Sequence, residues 1–283
     1  MPPSEHRFAH EAMATTFEVF AWHDDRDFAA RAAQSAFDLI DRLEADLSHY
    51  LPTSDVGRIN AAGAGTAVKV GLDTFDCLRL ARRAWEASSG LFDVTIGTLY
   101  AAWRDEEDRP REPSAARIRE ALAVTGMDKL ALDEAALTAT KSVAGLTLSL
   151  GGIGKGFALD LAAAQMREDH GLTRTLWHSG HSTILAGDPP PGEQAWAVGL
   201  GGASVPLARR ALSSSGTAVR GAHILSPRTG QPASGRARVW AYATTGAVSD
   251  AASTAAMLLS EAERARFRAV FPDVEFVLPP ESR

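Results

Sequence analysis

Asp250 and Thr254 stand four residues apart in Val248-Ser-Asp-Ala-Ala-Ser-Thr-Ala, at the start of a helical pattern that runs to about Leu259. That spacing sets a carboxylate and a hydroxyl on one helix face. With backbone carbonyls and waters they make an all-oxygen set that suits Mg2+. The same residues also fit a structural reading. An Asp in a first turn complements the helix dipole, and a Thr within a helix bonds back to the i−4 carbonyl. A second set lies in Leu148 to Asp160, where Leu146, Leu148 and Leu150 alternate like a strand and stop at Gly151-Gly152. A helical pattern follows through Leu161 and Met166 and ends near Gly171, a suitable residue to follow a helix. Glycines between a strand and a helix bring backbone N–H groups close to an anion, and Lys155 adds a full charge. The loop suits a phosphate or pyrophosphate, and it equally reads as a glycine-rich turn with a solvated lysine. It is neither a P-loop nor a dinucleotide fingerprint, because Gly156 follows Lys155 and Phe157 stands where the third glycine belongs.

Other residues could carry chemistry. Asp93 and Thr95 share one side of an extended segment after Gly90, a pattern that also makes an Asx turn. His223 precedes a Pro227-Arg228-Thr229-Gly230 turn. His178 and His181 are three apart with no Cys or carboxylate at metal spacing, which argues against zinc. Ser213 to Ser215 lack the Gly-x-Ser-x-Gly elbow of a serine hydrolase. Cys77 sits in an apolar helical pattern and reads as a small core residue.

These groups need elements to hold them. Periodicity predicts helices over Asp27 to Leu47, Leu72 to Ser88 and Ala115 to Val124. It predicts strands over Thr16 to Ala21, Lys129 to Leu132, Leu137 to Lys141, Thr173 to Trp177, Ala195 to Leu200 and Val205 to Leu207. Further strands are expected at Arg210 to Ser213, Ala222 to Leu225, Ala237 to Thr244 and Val274 to Leu278. Ser48 to Asn60 reads as an irregular turn, and the charged, proline-bearing segment 105–114 as an exposed loop or lobe boundary within a single domain over 1–283. Hairpins mixed with helices indicate an α+β fold with mostly antiparallel sheets.

At 283 residues the chain can bury a sizeable core. A net charge of −6 leaves no basic footprint for nucleic acid. One cysteine excludes an internal disulfide. No apolar run is long enough to span a membrane, and no apolar leader core follows Met1, so a cytoplasmic location is expected.

Taken in order, the segments resemble the ApbE family of FAD:protein FMN transferases. Met13-Ala14-Thr15-Thr16 is similar to the family's Met-Gly-Thr-Thr, and Glu44-Ala-Asp-Leu-Ser48-His-Tyr50 with Ser54 to Asn60 matches its next two motifs. Gly90 to Gly97, Gly151 to Asp160, Ser215-Gly216, His223 to Gly230 and Asp250 to Ala255 follow in family order. The resemblance implies a T-fold-like architecture with FAD in a cleft between lobes. It implies FAD contacts from Met13, Tyr50, Asp93, Thr95, Gly151, Gly152, Lys155, Asp160, Ser215, Gly216 and His223. It implies Mg2+ on Asp250 and Thr254 with a backbone oxygen from the glycine loop at Gly154. Catalytic roles fall to Asp250, His223 and Lys155. The implied reaction cleaves the FAD pyrophosphate and attaches FMN to a Thr or Ser of a target protein.

The chain departs from the family pattern in places. Gly180-His181-Ser182 replaces Gly-Gly-Asp, Ser215 to Arg220 lacks the second acid of Ser-Gly-Asp, and Gly154 replaces an Ala. The rival expectations are a flavin-binding sensor or carrier and a Mg2+-dependent hydrolase that turns FAD into FMN and AMP.

Overall fold

The computed structural model describes residues 4–107, 109–180, 182–200, 202–216 and 224–279. Its frame is a sheet of seven strands in the order β1-β2-β6-β7-β10-β11-β12, every neighbouring pair antiparallel. These are β1 (Ser4–Ala12), β2 (Thr15–His23), β6 (Thr175–Ser179), β7 (Thr183–Ala186), β10 (Arg210–Gly216), β11 (Arg238–Ala243) and β12 (Glu275–Val277). A small sheet pairs β3 (Ala67–Lys69), β5 (Thr138–Lys141) and β4 (Leu130–Asp133), and β8 (Trp196–Leu200) pairs with β9 (Ala203–Leu207) as a hairpin.

Helices α1 (Arg26–Leu47), α6 (Gly154–His170) and α7 (Gly246–Ala256) cover one face of the large sheet, and α3 (Leu72–Ala87) packs on α1 and α7. Between them lies the main core, with Phe17, Ile40, Leu78, Met166 and Trp177 at 0% exposure. The hairpin β8–β9 covers the other face over Leu176, Trp196, Leu207 and Leu212. The remaining helices are α2 (Asp55–Ala61), α4 (Gly97–Ala102), α5 (Ala115–Val124) and α8 (Glu261–Val270). No described helix is long and apolar enough to cross a membrane. The α+β, mostly antiparallel reading therefore holds. The segment 105–114 runs largely exposed between α4 and α5.

Several local expectations need correction. The segment 48–60 is not irregular throughout, because Ser54 caps α2 by accepting from the Gly57 amide at 2.8 Å. Gly57 hid this helix in the sequence. It is required because a Cβ there would collide with the Leu51 carbonyl. Leu146 to Leu150 is extended but is not a strand. Its partners are a helix side chain and a turn: the Asn60 side chain of α2 accepts from Leu148 N at 2.6 Å and donates to Leu148 O at 3.1 Å, and Ser149 N donates to Val94 O at 2.8 Å. The strand expected at 222–225 reduces, in its described part, to one bridge from Leu225 to Pro232. The strand β1 and the helices α4 and α8 carried too little periodic signal to be foreseen. The β1–β2 turn is Met13-Ala14, both at positive φ (50° and 55°), as a two-residue type I′ hairpin requires.

Candidate functional site

α7 starts four residues earlier than its pattern suggested, so Asp250 lies in its second turn rather than at its N-terminus. The dipole reading of Asp250 therefore falls. The N-terminus of α7 is capped instead by Thr245, and by Asp160, whose two oxygens accept from Gly246 N at 2.6 Å and Ala247 N at 2.9 Å. Burial pushes the Asp160 carboxyl up to about 7, against the two amides that favour its ionised form. Asp160 thus holds α7 against α6. The helices meet backbone to backbone at Gly156, where a Cβ would collide with the Gly246 carbonyl.

That close crossing places α7 under a cavity of about 480 Å3, within the usual range for small-molecule sites. Its floor is Gly151, Gly152, Gly154, Lys155, Asp250 and Thr254. Of the eleven residues of α7, Thr254 is the one that is not buried, and its Oγ1 would lie 3.2 Å from a Cβ on Gly152. Asp250 is 2% exposed. Its Oδ1 accepts from Ser182 Oγ at 3.3 Å and its Oδ2 from Gly156 N at 3.4 Å. Ser215 Oγ stands 2.8 Å from Ser253 Oγ and 3.3 Å from Thr254 Oγ1. Ser253, not Thr254, bonds back to the Asp250 carbonyl, at 3.0 Å. Thr254 is therefore oriented by β10 rather than by its own helix.

Lys155, at the start of α6, donates to Gly151 O at 2.9 Å and so folds over the glycine loop. Gly154 is the first residue of α6. Its carbonyl serves the helix ladder and retains a second lone pair. Gly216 ends β10, where a Cβ would collide with the Ala237 carbonyl. Met13, His49 and Tyr50 form part of the rim, and Tyr50 is 71% exposed with its ring centroid 3.9 Å from that of His49.

Other sequence-selected residues serve the walls. Asp93 lines the cavity, and its Oδ1 accepts from the Thr95 amide at 2.7 Å and hydroxyl at 2.6 Å, an Asx turn. Burial pushes the Asp93 carboxyl up, and the Thr95 donors oppose that. Thr95 is fully buried and accepts from Gly126 N at 2.6 Å, so it supports the wall without facing the cavity. Pro227 lies on the wall, and its turn is tied down by Gly230 N to Ser226 O at 2.7 Å and by Arg228 to Glu263 at 3.0 Å. His223 and His181 lie outside the described residues. His178 is packed near Phe20, and burial pulls its pKa down. Cys77 is fully buried and its thiol is pushed up by burial, so it is a core residue as expected. Sequence reasoning assigned no role to Ser182, Arg104 or Arg238, which line the cavity, or to Ser253, which is buried behind Ser215.

Among the described residues no three His, Cys, Asp or Glu side chains cluster as a metal site. The donors near Asp250 are instead a single buried carboxylate, hydroxyls and backbone. That all-oxygen set fits Mg2+ and not a softer ion.

The ApbE family's sequence profile matches residues 13–278. The chain is 30% identical over 239 residues to a FAD:protein FMN transferase of Rhodobacter capsulatus, covering 78% of this chain and 45% of that one. It is 28% identical over 217 residues to one of Klebsiella pneumoniae, covering 71% and 66%. It thus spans less than two thirds of each of these relatives. The flavinyl transferase ApbE of Pseudomonas stutzeri, solved in its apo form, superposes with a TM-score of 0.85 at 26% identity over 98% of this chain and 93% of that one. Flavin transferase ApbE of Vibrio cholerae has the same fold, with a TM-score of 0.86 at 20% identity over 99% and 95%. The profile match spans nearly the whole cavity-forming chain, and this protein belongs to the ApbE family.

Proposed function

We propose that this protein transfers FMN from FAD to a Thr or Ser hydroxyl of a target protein and releases AMP. The observation that carries the reading is the floor of the cavity, where the α6–α7 crossing brings the glycine loop, Lys155, Asp250 and Thr254 together. The acceptor oxygen attacks the FMN phosphorus, the bond to the bridging oxygen breaks, and its electron pair leaves on AMP. The acceptor proton goes to a base. Lys155 and the α6 N-terminus lie where the phosphate charge would sit, so they favour the transition state by position rather than by covalent chemistry. Asp250, Thr254 and a carbonyl of the glycine loop would hold Mg2+, which when bound supplies positive charge to the phosphoryl oxygens. Ser182 and Ser215 orient those two side chains. The exposed Tyr50 offers a flat apolar face suited to an aromatic ring system.

The test incubates the protein with FAD, Mg2+ and a protein fragment bearing candidate Ser or Thr acceptors. AMP release is measured, and a gel is read by flavin fluorescence. AMP together with a fluorescent band supports transfer. Steady AMP release with no band for any acceptor replaces transferase with FAD hydrolase. FAD binding without AMP release favours a sensor or carrier.

A further inference from the structure

We propose that Arg238 is a phosphate-binding residue of this cavity, contacting the diphosphate of the substrate. The inference rests on the FAD reading above and extends it to a residue that none of the motifs contains.

Three cationic side chains line the cavity: Lys155, Arg104 and Arg238. Lys155 is folded onto Gly151 O, and the Arg104 guanidinium sits 4.8 Å from the centroid of the Tyr100 ring. Arg238 makes no side-chain hydrogen bond and no ion pair among the described residues, yet it is half-buried. Other arginines of the fold have partners: Arg228 pairs with Glu263 and Arg209 with Asp188, while half-buried Arg82 and Arg264 donate to the Leu130 and Leu259 carbonyls. A guanidinium held half out of water without an anion is a site waiting for one.

The backbone that presents it is fixed. Arg238 opens β11 in register with Gly216, and the next residue, Val239, is fully buried opposite Ser215. A Cβ at Gly216 would press on the Arg238 Cβ at 3.3 Å, so glycine leaves room for the arginine stem. One residue before Gly216, Ser215 Oγ is 3.3 Å from Thr254 Oγ1. Arg238 thus lines the cavity beside Gly216, on the strand next to the one that carries Ser215.

Charge points the same way. The three cations face three cavity-lining carboxylates, Glu44, Asp93 and Asp250. Without Arg238 the lining would carry more negative than positive side chains, against a ligand bearing a diphosphate. When the bridging bond breaks, the leaving AMP phosphate gains negative charge. A planar guanidinium can meet two phosphate oxygens at once.

The experiment measures binding of FAD, AMP, FMN, adenosine and riboflavin by calorimetry to the full chain and to Arg238→Ala and Arg238→Lys. Expected is an affinity for FAD about 10- to 100-fold weaker in Arg238→Ala, the usual span for a charge-assisted hydrogen bond. A matching loss for AMP or for FMN identifies which phosphate is contacted. Adenosine and riboflavin should be unaffected, and Arg238→Lys should retain part of the affinity. Equal losses for ligands with and without phosphate would overturn the proposal. So would unchanged FAD, AMP and FMN affinities in Arg238→Ala. If the unaltered protein binds neither FAD nor AMP, the transferase reading itself fails, which these outcomes distinguish.

Discussion

The floor and the rim of the cavity are built in contrasting ways. On the floor, Asp250 is 2% exposed, the α6 and α7 backbones touch at Gly156 and Gly246, and Asp160 ties the end of one helix to the other. On the rim, Tyr50 is 71% exposed, and Met13 and Ala14 hold positive φ. Groups that must meet a reacting phosphorus need fixed positions, which packed helices supply better than loops. Groups that meet the outer parts of a ligand can sit on turns that adjust. The contrast predicts that floor substitutions act strongly and rim substitutions weakly.

The largest effect is expected from Asp250→Asn. It keeps the shape and the capacity to accept from Ser182 but removes the charge from the oxygen set. Mg2+-stimulated AMP release should fall about a thousandfold, roughly 4 kcal/mol in the barrier, with the thermal unfolding midpoint little changed. Near-normal turnover would show that the floor carboxylate is structural.

Next is Gly156→Ala. Its methyl would push the Gly246 carbonyl away and separate the helices. We expect a stability loss of about 3 kcal/mol in denaturant titration, with FAD affinity falling as well. A loss below about 1 kcal/mol would mean the crossing yields easily and the floor is no stiffer than the rim.

A smaller effect belongs to the wall. Glu263 closes a capping box with Ser260 and accepts from Arg228, and the Ser260 donors are the foremost cause of its carboxyl being pulled down to about 2. The depressed value means that the ionised form stabilises the fold. That contribution is complete above the ordinary value of 4.5 and is lost as pH falls toward 2. Glu263→Gln should cost about 1 kcal/mol at neutral pH, with the deficit shrinking in melts at decreasing pH below 4.5. A deficit that holds constant across that window would remove the charge from the explanation.

The smallest effect lies on the rim. Ala14 occupies the left-handed region at φ 55°, which costs a non-glycine residue about 1–2 kcal/mol. Glycine relieves that strain but adds about 0.5–1 kcal/mol of unfolded-chain entropy. Ala14→Gly should therefore stabilise by about 0.5 kcal/mol or a little more, with FAD affinity unchanged within about twofold. A large change in FAD affinity would show that the strained turn sets the site.

The sequence determined the α+β class, the helices α1, α3, α5 and α6, and the identity of the floor residues. Each of these rests on local signals: apolar periodicity, a helix-ending Gly171, and a glycine loop beside a lysine. Tertiary structure decided which of those residues face the cavity. Asp160 and Thr95 read as site residues in the chain, yet one clamps α7 and the other supports the Asp93 turn, because their hydrogen-bond partners lie 86 and 31 positions away. Asn60 turned an apparent strand at 146–150 into an extended loop by bonding across 88 positions. Arg238 carried no pattern at all, since strand pairing alone brings it to the cavity, and Ser182 was marked only by the acid it replaces. The start of α7 was misread for the same reason. The buried cap of a helix can come from a distant carboxylate, and no window of neighbouring residues contains it.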